Sequence, residues 1–229
     1  MMTGYIIRMK GVDLSEELAQ DCADSLEKHG VNYEFFDAVH GEEIDKVWTE
    51  KGLDFYRKQN ANKRLPGVKG CFLSHYILWE KCLALDTPIL IFEHDALLIK
   101  DLPDLVLKNR YDVLNLDYAS RVEKDYEAHL QTNRGVGVEN WPVAPKKKGL
   151  VSQLNKSSIK GIHAYAIKPS GAAQLIHKAQ TLGTLPADIH VNSKYIDLRY
   201  SITSYARINP KYWLNAKQGS LHSFTRAKD

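Results

Sequence analysis

An α/β fold is the prediction for this chain of 229 residues, and three features carry it. Short apolar runs alternate with segments of helical period. Some of these runs, notably residues 88–92 and 111–116, have the length and composition of strands buried inside a sheet. The chain also opens with a strand, a helix and a second strand in direct succession, which favours parallel pairing through a right-handed crossover. The expected architecture is a mixed, mostly parallel central sheet flanked by helices, in a single domain spanning 1–229.

Residues 5–9 form the opening strand. Ser15 then caps a helix whose Leu18, Cys22 and Leu26 share one face at i, i+4 and i+8, and Gly30 ends it. Residues 31–36 read as the second strand, followed by the loop Asp37-Ala38-Val39-His40-Gly41. The charged stretch 45–66 is expected to be helical as far as Pro66-Gly67. The segment Gly70-Cys71-Phe72-Leu73-Ser74-His75 leads into a helix through Tyr76, Trp79, Cys82 and Leu83. After the strands at 88–92 and 111–116, residues 119–160 are a long polar excursion, of the kind that is usually functional or disordered. A strand at 161–167 and a helix at 170–179 follow. Pro186 and Pro210 bracket shorter elements, and residues 213–229 show no period. The excursion divides the chain into an N-terminal half, 1–118, and a C-terminal half, 161–229.

Size and composition exclude several classes. A mass of 26.0 kDa and a hydrophobic fraction of 44% suit one compact domain. No apolar run approaches the roughly 20 residues needed to span a bilayer, and the first residues lack the pattern of a signal peptide. Cys22, Cys71 and Cys82 are odd in number and lack metal-ligand spacing, so they read as reduced thiols of a cytoplasmic protein. The net charge of +3 is unevenly distributed: residues 1–139 carry 17 Lys and Arg against 25 Asp and Glu, whereas 140–228 carry 14 against two. A half so basic suits an anionic partner, or else is a solvated face that aids solubility. Lys146, Lys147, Lys148, Lys156 and Lys160 are the candidate polyanion contacts.

The chemistry centres on Glu93-His94-Asp95, directly after the apolar strand. Ligands of open α/β sheets bind at the carboxyl ends of the strands, where two acids at i and i+2 face one site. Their hard oxygens suit Mg²⁺ or Mn²⁺. Alone, this spacing also describes a surface turn. No G-x-S-x-G elbow and no P-loop compete with it, and it suits one metal better than the opposed acid and base of a glycoside hydrolase.

The segment Gly70-Cys71-Phe72-Leu73-Ser74-His75, then Trp79, then Ile-Leu-Ile-Phe-Glu-His-Asp resembles the signature of glycosyltransferase family 25. That family includes lipooligosaccharide and collagen galactosyltransferases. The resemblance extends to Tyr5-Ile6-Ile7, to Phe35-Phe36-Asp37-Ala38-Val39-His40-Gly41, to 161–167 with Ser170-Gly171-Ala172, and to Pro186-Ala187-Asp188. It implies a GT-A type fold, a nucleotide-sugar donor (commonly UDP-linked) and a divalent metal, Mn²⁺ or Mg²⁺, with 1–118 as the donor-binding half and 161–229 as the basic acceptor-side half. By the same resemblance Asp95 is a direct metal ligand and Glu93 assists. His94 stands where the family usually has Asp, and Ile7-Arg8-Met9 where it commonly reads I-N-L.

Asp188 either orients the acceptor hydroxyl or accepts its proton, or is a helix N-cap. His190 at i+2 and His222 in the tail are candidate metal ligands. Arg8, Gly41, Ser74, His75 and His94 are candidate donor contacts, although Ser74 and His75 also fit a turn entering a helix. His163 reads as a core histidine. The expected function is hexosyl or pentosyl transfer to an acceptor hydroxyl, on a glycan such as lipooligosaccharide or on a hydroxymethylated DNA base. The alternative is a degenerate module that binds nucleotide sugar or nucleic acid without turnover.

Overall fold

A computed structural model describes residues 2–56, 66–103, 108, 111–117, 138–140, 158–159, 162–201 and 203–212. The opening unit is β1 (Gly4–Arg8), α1 (Asp13–Lys28) and β2 (Tyr33–Asp37), followed by α2 (Glu43–Glu50), α3 (Pro66–Leu85) and β3 (Ile89–Glu93). Then come β4 (Ala96–Leu98), β5 (Val113–Asn115), β6 (Val138–Asn140) and β7 (Ala164–Ile167). Helices α4 (Pro169–Leu182) and α5 (Ala187–His190) precede β8 (Leu198–Ser201) and β9 (Ala206–Ile208).

The main sheet has seven strands in the order β2-β1-β3-β7-β5-β8-β6, and β4 and β9 form a separate two-stranded sheet. Strand β1 runs parallel to both β2 and β3, as the opening unit predicts. Strand β7 is antiparallel to both its neighbours, β3 and β5. With β5–β8 parallel and β6–β8 antiparallel, the sheet is mixed but not mostly parallel. Apolar runs report burial on both faces and not strand direction, so this correction lies beyond what composition encodes.

Period-two alternation divides the core. Tyr5, Ile7, Ile89, Ile91, Tyr165 and Ile167 face α3 and α4, whose Phe72, Trp79 and Leu175 join the same cluster. Ile6, Leu90, Phe92, Ala164 and Ala166 face the other way, towards Cys22 and Leu26 of α1 and the small β4–β9 sheet. Strand β3 therefore sits at the centre of the sheet with Ile89, Leu90, Ile91 and Phe92 buried. Its last residue, Glu93, is the first to reach an opening.

Several boundaries differ from the sequence expectation. Of the charged stretch 45–66, the part to Glu50 is helical and 51–56 is not, while 57–65 lie outside the described residues. Gly70–His75 lies inside α3 rather than in a turn leading to it. A helix there needs no side chain at position 70. A Cβ on Gly70 would sit 2.5 Å from the Val39 carbonyl oxygen, so glycine lets α3 press against the loop after β2. Ser15 is also not a cap: it lies within α1, and its hydroxyl accepts a hydrogen bond from the Met9 amide at 2.8 Å. Among the described residues, no helix is long and apolar enough to cross a membrane.

Candidate active site

Parallel register aligns the ends of β1 and β3, with Ile7 opposite Glu93. The two strand ends, the loop after β2 and α3 enclose a cleft of about 230 Å³. Arg8, Val39, His40, Ser74, Asp95 and Tyr212 are among the residues that line it. Arg8 donates from Nε to Asp37 Oδ1 at 2.9 Å, and its guanidinium lies 4.4 Å from the centre of the Phe35 ring. The Arg8 hydrogen bond and charge hold the Asp37 carboxyl below its ordinary range. Gly41 takes φ +66° at the turn beyond His40. That left-handed conformation suits glycine, but Gly41 is not among the residues that line the cleft.

Glu93 and Asp95 meet at one imidazole. His163 Nδ1 lies 3.2 Å from Asp95 Oδ1 and 3.4 Å from Glu93 Oε2. This histidine enters the site because β7 is antiparallel to β3, and the Glu93 amide donates to the His163 carbonyl at 2.8 Å. It is a member of the site and not the core histidine that sequence reading suggests. The missed signal was its place just before the strand that pairs with β3. Burial pushes the His163 imidazolium down, but the charge and hydrogen bond of Asp95, then those of Glu93, outweigh it and raise its pKa well above the ordinary range. Burial likewise pushes the Glu93 carboxyl up, and the hydrogen bonds and charges of His163 and His75 hold it well below. Each partner thus favours the charged form of the other.

Behind Glu93, α3 supplies a buried chain of polar groups. Trp79 Nε1 donates to the Tyr165 hydroxyl at 3.0 Å, His75 Nδ1 lies 2.9 Å from the same oxygen, and His75 Nε2 is 3.3 Å from Glu93 Oε1. Both ring nitrogens of His75 are thereby engaged with protein groups, so it positions Glu93 rather than offering a free nitrogen to a donor. Ser74 is similar. Its hydroxyl donates to the Gly70 carbonyl at 2.8 Å and accepts from the Val39 amide at 3.1 Å, fixing the loop that lines the cleft. His94 lines the cleft with Nδ1 against the Ser15 hydroxyl. Among the described residues, it belongs to neither group of side chains whose donor atoms converge.

A second cavity, of about 310 Å³, lies on the other side of Glu93 and Cys71, which line both. Its remaining wall includes Asp188, Ile162, Pro186 and Ile189. Asp188 is the second residue of α5, and the N-cap position is taken by Pro186, so the capping alternative does not hold.

His190 is a correction. It is fully buried, stacked on Trp79 with ring centroids 5.9 Å apart and planes 18° apart, and Nε2 donates to the Leu175 carbonyl at 3.0 Å. It belongs to the core and is no metal ligand. Successive helical residues rotate by about 100°, so i and i+2 point to nearly opposite sides. Asp188 takes the cavity and His190 the core. Burial pulls the His190 imidazolium down to about 4, partly offset by the Leu175 carbonyl.

The sign of the resulting pH dependence follows directly. An unfolded histidine titrates near 6.5, so the unfolded chain takes up this proton first as pH falls. Stability should be unaffected by this group above about pH 6.5 and fall by about 3 kcal/mol on descending to about pH 4. Urea unfolding of His190→Gln should show a shallower loss between these limits than the parent chain; equal slopes would remove His190 as the cause.

His222 and Lys146, Lys147, Lys148, Lys156 and Lys160 lie outside the described residues.

Fold and site together define an α/β protein whose ligand cleft opens at the carboxyl ends of its central parallel strands. The chain belongs to glycosyltransferase family 25: the family's model, described as that of an LPS biosynthesis protein, matches residues 1–191. It is 34% identical over 99 residues to the lipooligosaccharide biosynthesis protein lic2B of Haemophilus influenzae, covering 43% of this chain and 35% of that protein. It is 38% identical over 81 residues to the lacto-N-neotetraose biosynthesis glycosyltransferase LgtB of Neisseria meningitidis serogroup B, covering 33% of this chain and 27% of the relative. The matches thus span about a third or less of the relatives' length. The family resemblance read from the motifs is borne out.

Proposed function

We propose that this chain is a metal-dependent glycosyltransferase that moves a sugar from a nucleotide-sugar donor of the UDP-linked type to a hydroxyl of a lipooligosaccharide-type glycan. The observation that carries this reading is the pair of cavities sharing Glu93 and Cys71 as a common wall. A two-substrate transfer needs two adjoining sites with the reacting atoms between them. The cleft past Arg8, the 38–40 loop and Tyr212 suits the nucleotide sugar, with a guanidinium at its wall. The cavity holding Asp188 suits the acceptor, with apolar Ile162 and Ile189 for a sugar face and a carboxylate for its hydroxyl. The GT-A reading of the fold belongs to the same proposal, supported by the opening β-α-β unit and the acids at the end of β3. A cytoplasmic location, supported by three free cysteines, belongs to it as well.

Glu93, Asp95 and His163 each offer one ligand atom, all within 4.8 Å of one another. This set of two carboxylate oxygens and one imidazole nitrogen fits Mn²⁺ or Mg²⁺. Such an ion, when bound, would neutralise charge on the departing diphosphate. The chain's own contribution is to orient the donor at the cleft, hold Glu93 in place through His75 and Tyr165, and take the acceptor proton on Asp188.

The relatives' names support the glycan acceptor over DNA. The test is a screen of nucleotide sugars with and without Mn²⁺, offered to lipooligosaccharide-type glycans and to hydroxymethylated duplex DNA. Transfer to glycan in the presence of metal is expected. Transfer to DNA alone would reassign the acceptor, and donor binding without turnover on any acceptor would leave a binding module.

A further inference from the structure

The wall between the two cavities holds a group of donors that includes a thiol, Cys71, for which the transfer reaction has no use. We propose that Cys71, His75 and Glu93 form a second cation site, selective for a thiophilic divalent ion such as Zn²⁺ or Cd²⁺. Cys71 and His75 are spaced i, i+4 on α3 and so share one helix face. The same spacing places two ligands on a single ion in helical metal motifs. Glu93 comes from the end of the neighbouring strand. Cys71 Sγ is 3.8 Å and His75 Nε2 3.3 Å from Glu93 Oε1, and the three donor atoms lie within 4.8 Å of one another.

Three further features fit a cation. The donors are one sulfur, one nitrogen and one oxygen, a softer set than Glu93, Asp95 and His163, and thiolate ligation favours zinc-like ions over Mg²⁺ or Mn²⁺. His75 is already oriented from behind: the Tyr165 hydroxyl meets Nδ1 and is itself held by Trp79, the kind of outer support that fixes a ligating imidazole. The site is also reachable, because Cys71 and Glu93 line both cavities, leaving an open position for a solvent or substrate atom. On binding, a sulfur–metal bond replaces the S–H bond and its proton passes to solvent, while His75 exchanges its Nε2 contact with Glu93 for the metal in the tautomer that carries its proton on Nδ1, towards the Tyr165 hydroxyl; no oxidation state changes. Cys22 and Cys82 are fully buried and have no comparable partners among the described residues.

Glu93 belongs to both donor groups, so a thiophilic ion here takes an oxygen from the carboxylate pair. Inhibition of sugar transfer by such an ion is the consequence, and that consequence alone rests on the proposed function. Binding itself does not.

Cd²⁺ titrated into the full chain should produce thiolate-to-metal charge-transfer absorption in the ultraviolet that saturates at one equivalent. Cys71→Ser should abolish the band, and Cys22→Ser and Cys82→Ser should keep it. Tyr165→Phe should weaken Cd²⁺ binding by about 10- to 100-fold, the usual effect of removing an outer hydrogen-bond partner. Asp95→Asn should retain the band, which separates this site from the carboxylate pair. Circular dichroism on each variant checks that the fold persists. Absence of the band in the parent chain, its survival in Cys71→Ser, or its loss in a folded Asp95→Asn would each overturn the proposal. Transfer activity can fail in every assay while the band appears, or succeed while it does not, so the two readings are tested separately.

Discussion

Asp95→Asn should lower kcat for Mn²⁺-supported sugar transfer by about 10³-fold, in the range lost when a preorganised electrostatic group is removed from a site of developing charge. The side chain is almost fully buried and points at His163, so the substitution is nearly isosteric and deletes one charge. The backbone there is secured independently: the Asp95 carbonyl accepts from the Asn209 amide at 2.6 Å, and β4 begins at the next residue and pairs with β9. The fold should therefore survive, as unfolding midpoints would show. Two consequences follow in the site. Only Glu93 is left as a carboxylate ligand, so affinity for Mn²⁺ should drop in calorimetric titration. His163 also loses the largest influence raising its pKa, and its NMR titration should move down. Unchanged metal affinity with unchanged kcat would reduce Asp95 to a structural residue and remove the metal from the proposal.

Why Asp95 could be found by reading, and His163 could not, is a matter of which contacts are local. Glu93 and Asp95 follow a fully apolar strand, and the carboxyl end of a central strand is where α/β ligands sit. That inference needs only residues 88–95. His163 reaches the same place through a strand 70 residues later, and only because that strand is antiparallel. Direction is not written in an apolar run, so the reading that favoured a mostly parallel sheet also left His163 in the core. The small β4–β9 sheet was missed for a related reason. Each strand is three residues long, too short for a period, and each exists through pairing with the other more than 100 residues away.

Some errors came from applying the wrong period. Asp188 and His190 look like a second acidic-and-basic pair at i, i+2, but in α5 that spacing separates them to opposite sides. The segment from Gly70 to His75 reads as a lead into a helix, with Ser74 and His75 in the entering turn, whereas it lies inside α3. Here the glycine is required by the close approach of the Val39 carbonyl to α3, a tertiary contact that overrides propensity. In the opening unit, by contrast, local propensity, apolar period and tertiary structure agree, and β1, α1 and β2 were legible to within a few residues.

Asp188→Asn should reduce kcat by about 10²- to 10⁴-fold while leaving the donor KM nearly unchanged, the span expected when a general base is removed. The cleft proposed for the donor does not include Asp188, whereas the adjoining cavity does, and that cavity reaches Glu93 and Cys71. The Asp188 charge is felt there: after burial itself and the charge of Glu93, it contributes to pushing the Cys71 thiol well above its ordinary range. The proposed role as base rests on this position: a hydroxyl bound in that cavity would lie against the same wall as the Asp188 carboxylate. Two measurements separate this role from simple acceptor binding. If Asp188 accepts the proton, kcat at saturating acceptor should fall in Asp188→Asn, and the acidic limb of the kcat–pH profile should disappear with it. If it only orients the acceptor, the acceptor KM should rise with kcat retained, because the interaction is made equally in ground and transition states. The second pattern would move the base elsewhere in the site and leave Asp188 as a positioning residue. A folded variant with neither change would detach the smaller cavity from acceptor binding altogether.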